Sequence, residues 1–358
     1  MMITFPMLEG VEINLLLLIL LGFTIGIVSG FVGLGGGFLM TPALIILGFP
    51  ASFAVGTSLV WMTGSAITGA LRHRQLGNID MKLGLWMVVG TMCGIEVGVR
   101  ILDEAKNVGL ANQAVLTVSI VILLIIGTYT LLEAQRTKVQ LDEMIRKKEK
   151  LPPAMRVPVM SQRLKMIGLP PMIHFTKSRL TISLWVILAI GFVTGVLAGF
   201  IGLAGGLVMV PSLIYLIGLP SFMAVGTSMF QIVFSAAFAG IRHTMSGNVI
   251  IFASFILLVS SCIGVQFGAL TTRYVRGVSM RYILALSILL CVLGSTLKLL
   301  DVSSELPVAW LQTGSIVVIF GGLGLLVIMI VGLSVLAIRY RKSKYIPIWA
   351  VSLVSKED

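Results

Sequence analysis

Nine stretches of this chain are nearly free of charge and close to a bilayer's thickness when coiled as helices. They cover residues 14–29, 51–71, 83–99, 114–132, 180–197, 221–241, 249–270, 282–297 and 313–338. A helix needs ~20 residues to cross the hydrocarbon layer, so runs of this length and number specify a polytopic helical membrane protein. Composition agrees: 57% of the residues are hydrophobic, 11% are charged and the mean hydropathy is +1.06, where a soluble domain would carry roughly 25% charged residues. The first thirteen residues hold no Lys or Arg, so no cleavable signal is expected. Three cysteines, Cys93, Cys262 and Cys291, all fall inside apolar runs, which argues for packing rather than a disulfide framework.

The net charge of +12 is placed as topology and not as a nucleic-acid footprint. Residues 133–179 hold eleven Lys/Arg against four Asp/Glu, a surplus of +7 in one segment. Basic loops stay on the cytoplasmic side.

The sequence is written twice. "GFVGLGGGFLMTPAL" at 30–44 returns as "GFIGLAGGLVMVPSL" at 199–213. "AVGTS" at 54–58 returns at 224–228, "RHRQLGN" at 72–78 as "RHTMSGN" at 242–248, and "GIEVG" at 94–98 as "GVQFG" at 264–268. The expected organisation is a first transmembrane repeat at 1–133, a basic cytoplasmic linker at 134–179, a second repeat at 180–338 and a basic cytoplasmic tail at 339–358. If the short segments after each glycine cluster cross the membrane, each half has five crossings and the halves are inverted. Arg72, Arg74, Lys82, the linker, Arg273, Arg276, Arg281 and the tail then share one side, as the charge rule requires. The fold class is therefore an all-α polytopic membrane protein of two homologous helical repeats, inverted, with broken or re-entrant glycine-rich segments. Inverted repeats place a substrate near the midplane, beside interrupted helices.

The glycine clusters do not cradle nucleotide phosphate. A P-loop needs Lys and Ser/Thr after its last glycine, and here Phe38 follows Gly37 and Leu207 follows Gly206. Two readings stay open. Small residues let membrane helices approach closely. Clustered glycine also breaks a helix, and its freed N–H groups suit an anion. On the second reading Gly33, Gly35, Gly36, Gly37, Gly202, Gly205 and Gly206 line a substrate path.

These motifs resemble the TauE/SafE sulfite exporter family of small bacterial membrane permeases. The residues that carry the resemblance are "GFVGLGGGFLMTPAL", "AVGTS" and "GALRHRQLGN" with their second copies, so it covers both halves but not the linker or tail. It implies a multi-pass transporter in the bacterial inner membrane for small sulfur-containing anions such as sulfite, sulfonates or sulfoacetate, without cofactor or nucleotide hydrolysis.

Several polar side chains are candidates for such a site. Arg72–His73 and Arg242–His243 close their apolar helices; Arg has a planar fork for an oxyanion and His changes charge near neutrality. Snorkelling to headgroups is the plain alternative. Inversion would put the two pairs on opposite faces, as two gates and not one site. Thr57, Ser58, Thr227 and Ser228 have hydroxyls for an oxyanion, or else bond back to their own helices. Gln231 faces them one turn on, but its counterpart is Trp61. Glu96 is the one acid well inside an apolar run, which makes it a proton-coupling candidate; a local pair with Arg100 four residues on is the alternative. The histidines His73, His174 and His243 are far apart in sequence, so no metal is expected. The partners expected are a small anion and the bilayer, with a homo-oligomer left open and nucleic acid excluded. A passive anion channel, a membrane-embedded enzyme and an assembly subunit are the competing functions.

Overall fold

The computed structural model describes residues 2–4, 12–32, 35–147, 170–178, 180–203, 206–271, 277–303 and 309–343. Among them nine helices are long and apolar enough to span a membrane. In chain order the helices are α1 (Leu15–Val32), α2 (Gly37–Ile46), α3 (Ala51–Gln75), α4 (Met81–Asn107), α5 (Ala111–Lys147), α6 (Leu184–Ile201), α7 (Gly206–Ser212, continued by a π turn over Leu213–Ile217), α8 (Ser221–Met245), α9 (Ile251–Thr271), α10 (Gly277–Ser303) and α11 (Ala309–Ser343). The chain is thus an all-α polytopic membrane protein. Its outer surface bears Leu16, Trp310 and Ile328, each at least two-thirds exposed, which suits lipid and not water.

Two antiparallel hairpins were not foreseen. β1 (Met2–Thr4) pairs with β2 (Glu12–Asn14), and β3 (Met172–Phe175) with β4 (Leu180–Ser183). The apolar run that opens at residue 180 is therefore strand first, and its helix starts at Leu184. α5 continues through the charged residues after 133 as one helix to Lys147.

Local chemistry sets the helix ends. Pro50 and Pro220 stand at the N-cap positions of α3 and α8. Both helices stop in the same way, at Gly77 (φ 72°) and Gly247 (φ 68°). Asn78 N–H donates to the His73 carbonyl and Gly77 N–H to that of Arg74; Asn248 and Gly247 repeat this on His243 and Thr244. This is the Schellman stop, so the Gly-Asn that ends each "RH" motif is a helix terminator. Asp80 caps α4 by accepting from Leu83 N–H at 3.1 Å, as N-cap acids do.

The packing exchanges partners between the halves. α1 lies against α9, and α4 against α6, in the two most extensive helix contacts. Both seams are lined with glycine. A Cβ on Gly26 would fall 2.5 Å from the Ser261 carbonyl oxygen, and one on Gly199 2.6 Å from that of Ile95. Real side chains would force these helices apart, which is why small residues recur on membrane helix faces. Between the seams, α3 and α8 cross antiparallel: Gly69 meets Met229 at one end, and Gly240 meets Val60 nearer the other.

Candidate functional site

The two helix breaks meet at the centre of the bundle. α1 ends at Val32 and α2 starts at Gly37, with Gly35 (φ 80°) and Gly36 (φ 70°) between them. α6 ends at Ile201 with Gly202 (φ 73°) as its left-handed C-cap, and α7 starts at Gly206. A Cβ on Gly37 would stand 3.1 Å from the Gly202 carbonyl oxygen, and one on Gly202 would stand 2.5 Å from Thr41 Oγ1 and 3.0 Å from Ser58 Oγ. Backbone therefore faces backbone here, closely packed and buried. Gly33 and Gly205 lie outside the described residues. α2 has 10 residues, about 15 Å of helix and half the hydrocarbon thickness, so it is a half-helix.

Each break leaves carbonyls without helical partners, and side chains from elsewhere take them up. Pro42 has no N–H for the Phe38 carbonyl; Cys291 of α10 donates its thiol there at 3.4 Å. Where α6 stops, the Gly199 carbonyl bonds His243 Nε2 at 3.0 Å. That fixes Nε2 as the protonated nitrogen and leaves Nδ1 buried without a partner. His243 is wholly buried, so its first role in this structure is to cap α6.

The "AVGTS" hydroxyls divide into two jobs. Thr57 Oγ1 accepts from Ile250 N–H at 3.1 Å, and Thr227 Oγ1 accepts from Asp80 N–H at 3.0 Å. Each threonine pins the start of a helix in the other half. Ser58 and Ser228 donate back to Val55 and Val225 within their own helices. Ser58 Oγ also pairs with Thr41 Oγ1 at 2.7 Å. Thr41 is a residue the sequence reading passed over. It stands inside the quoted glycine stretch, but its counterpart Val210 has no hydroxyl, so the repeat gave no signal.

Gln231 and Trp61 occupy equivalent positions and make equivalent bonds. Gln231 Nε2 donates to Thr91 Oγ1 at 2.9 Å, and Trp61 Nε1 donates to Ser261 Oγ at 2.7 Å. Both links join one half to the other. Gln231 is fully buried and its Oε1 has no partner, an acceptor awaiting a donor.

The charged candidates lie nearer the helix ends. Glu96 receives Arg242 in a fork, Nε to Oε2 at 2.6 Å and Nη2 to Oε1 at 2.9 Å. Arg100 adds Nε to Oε1 at 2.9 Å but is 74% exposed. The local pair with Arg100 is thus present, and a cross-half pair with Arg242 stands beside it. Arg72 has a different setting: its Nη1 reaches only Gln75 Oε1, at 3.5 Å, on the exposed surface. His73 is partly buried with Nδ1 unpartnered. Because α3 and α8 are antiparallel, the two Arg–His pairs lie at opposite ends and form no common site. A further cluster closes the Arg242 end. Asp103 accepts from Ser246 Oγ and Asn248 Nδ2, and Lys106 donates to Asn248 Oδ1. The described residues hold no group of three or more His, Cys, Asp or Glu that could bind a metal.

A lipid-faced helical bundle whose two broken helices abut at its centre is a multi-pass membrane protein of transporter architecture. The profile described as Sulfite exporter TauE/SafE matches residues 18–297. The chain belongs to that family. It is 25% identical over 292 residues to the probable membrane transporter protein YunE of Bacillus subtilis, covering 79% of this chain and 97% of the relative. It is 27% identical over 259 residues to the probable membrane transporter protein YdhB of the same organism, covering 71% and 87%. No solved structure matches it.

Proposed function

We propose that this protein is a secondary transporter that moves small sulfur-containing anions, such as sulfite, sulfonates or sulfoacetate, across a bacterial inner membrane. The observation that carries the reading is the meeting of Gly37 and Gly202. α2 begins there at Gly37, and the first N–H groups of a helix have no partner within it, which suits an oxyanion; the Gly202 N–H is already held by the Ala198 carbonyl at 3.0 Å. In this reading Gln231 contacts the cargo from α8, its free Oε1 accepting from a cargo oxygen that carries a proton, as in bisulfite. The family description and the relatives' names point to transport rather than catalysis.

Proton coupling through Glu96 is the finer part of the proposal. Protonating this carboxylate would release Arg242 from its fork and free α8 from α4 at that end. The Gln266 counterpart cannot titrate, so coupling is one-sided.

The test is flux in proteoliposomes loaded with sulfite, sulfoacetate or sulfate, with and without a pH gradient. Gradient-driven uphill flux supports the transporter, and its loss in Glu96→Gln places coupling on that carboxylate. Anion flux indifferent to the gradient assigns a channel. Absence of flux for every sulfur anion rejects the cargo class.

A further inference from the structure

An apolar cleft of about 170 Å³ opens between α3 and α8 beside the start of α4. Phe230 and Phe234 form its floor in a T-shaped pair with ring centroids 5.1 Å apart. Leu71 and Met81 on its walls are half exposed, so the cleft opens on the outer face of the bundle and not on the helix breaks. One charged side chain lines it, Arg74. Among the described residues the Arg74 guanidinium has no hydrogen-bond or ion-pair partner, unlike Arg242 and Arg281, which both hold carboxylates.

The equivalent place in the other half lacks this chemistry. Arg74 corresponds to Thr244, Phe230 to Val60 and Phe234 to Gly64. Thr244 bonds back to the Gly240 carbonyl. The aromatic floor and the cation therefore occur together once, at the end of the bundle that carries the β3–β4 hairpin and Lys82, whose Nζ reaches the His174 carbonyl.

We propose that this cleft binds an anionic phospholipid of the cytoplasmic leaflet, with an acyl chain over Phe230 and Phe234 and the phosphate on Arg74. Charge complementarity selects this occupant. A second protein copy would have to bring a carboxylate into an apolar cleft, whereas an anionic lipid joins tail and phosphate in one molecule. A guanidinium offers paired N–H groups to phosphate oxygens, and the cytoplasmic surface is rich in anionic headgroups. The site lies outside the transport path and stands whatever the cargo.

The purified chain would be heated in detergent micelles doped with phosphatidylglycerol or phosphatidylcholine, and lipid retention read by native mass spectrometry. Phosphatidylglycerol should be retained in preference to phosphatidylcholine and should raise the melting temperature more. In Arg74→Ala the preference should drop about tenfold, the scale of one charge-assisted contact, while helicity and monodispersity stay as in wild type. Arg74→Lys should keep part of it. Equal retention of the two lipids by wild type, or an undiminished preference in Arg74→Ala, overturns the proposal. A lipid-free dimer that shields Leu71 and Phe234 would assign the cleft to a second copy instead. Loss of transport with the lipid preference intact would bear on the cargo reading alone.

Discussion

Arg242 grips both oxygens of Glu96, at 2.6 and 2.9 Å, and so ties α8 to α4 across the two halves. The contact is partly exposed, at 25% and 30% of the side chains, so as a stabiliser it is modest and its removal should cost about 1 kcal/mol or less. Its larger effect should be on motion. Glu96→Gln is expected to fold, to melt within a few degrees of wild type and to lose the dependence of anion flux on a pH gradient. Arg100→Ala should alter neither, since Arg100 is held only by a solvent-facing contact. Flux assays and melting curves on both variants check this.

The helix breaks predict an asymmetry between two glycines. Gly202 has φ 73°, and a Cβ would meet Thr41 Oγ1 and Ser58 Oγ. Gly37 is helical, and a Cβ would press mainly on the flexible end of Met62. Gly202→Ala should therefore destabilise by about 2 kcal/mol or more, combining left-handed strain with overpacking. Gly37→Ala should cost less. Melting temperatures in detergent measure the order; a reversed order would mean that the glycine loops are not held as described.

Cys291 substitutions separate a bond from a volume. Cys291→Ser keeps a donor for the Phe38 carbonyl and should stay close to wild type. Cys291→Val fills the space but leaves that carbonyl bare, at a cost of about 1–3 kcal/mol. Thermal stability compares them directly.

Gln231→Leu distinguishes ligand from scaffold. The change deletes a buried acceptor with no partner, which offsets the loss of the Nε2–H bond to Thr91, and it leaves Thr91 bonded to the Met87 carbonyl. Stability should hold or rise. Anion flux should nevertheless fall at least tenfold if Gln231 contacts the cargo, a loss of about 1.4 kcal/mol of recognition. Unchanged flux would remove Gln231 from the proposed path.

The apolar runs located the long helices because a lipid-spanning segment has to satisfy its own backbone, and continuous apolar runs of this length do so as helices. The run at 51–71 grew only to Gln75, and the Gly-Asn behind it supplied the stop. What the sequence hid was pairing. Local spacing pointed Glu96 to Arg100, yet its two-pronged contact comes from Arg242 in the other half. Thr57 and Thr227 were expected to meet an oxyanion or to bond back to their own helices, because nothing local reveals that Ile250 and Asp80 bring their N–H groups to them. His243 was read for its charge, but the broken end of α6 needed its N–H. The β3–β4 hairpin escaped notice because its apolar strand runs straight into α6 and shares its composition.

The crossed seams also govern biosynthesis. α1 is made first, but the helix that covers its glycine face, α9, comes only after the rest of the first half, the connecting segment and the three helices α6, α7 and α8. Until then α1 waits in the bilayer with lipid against a surface shaped for a backbone, and α4 waits likewise for α6. With its glycine seam uncovered, neither half should complete its fold alone. Two fragments cut in the 148–169 region should thus be inert apart and regain structure only when they are made together in one membrane.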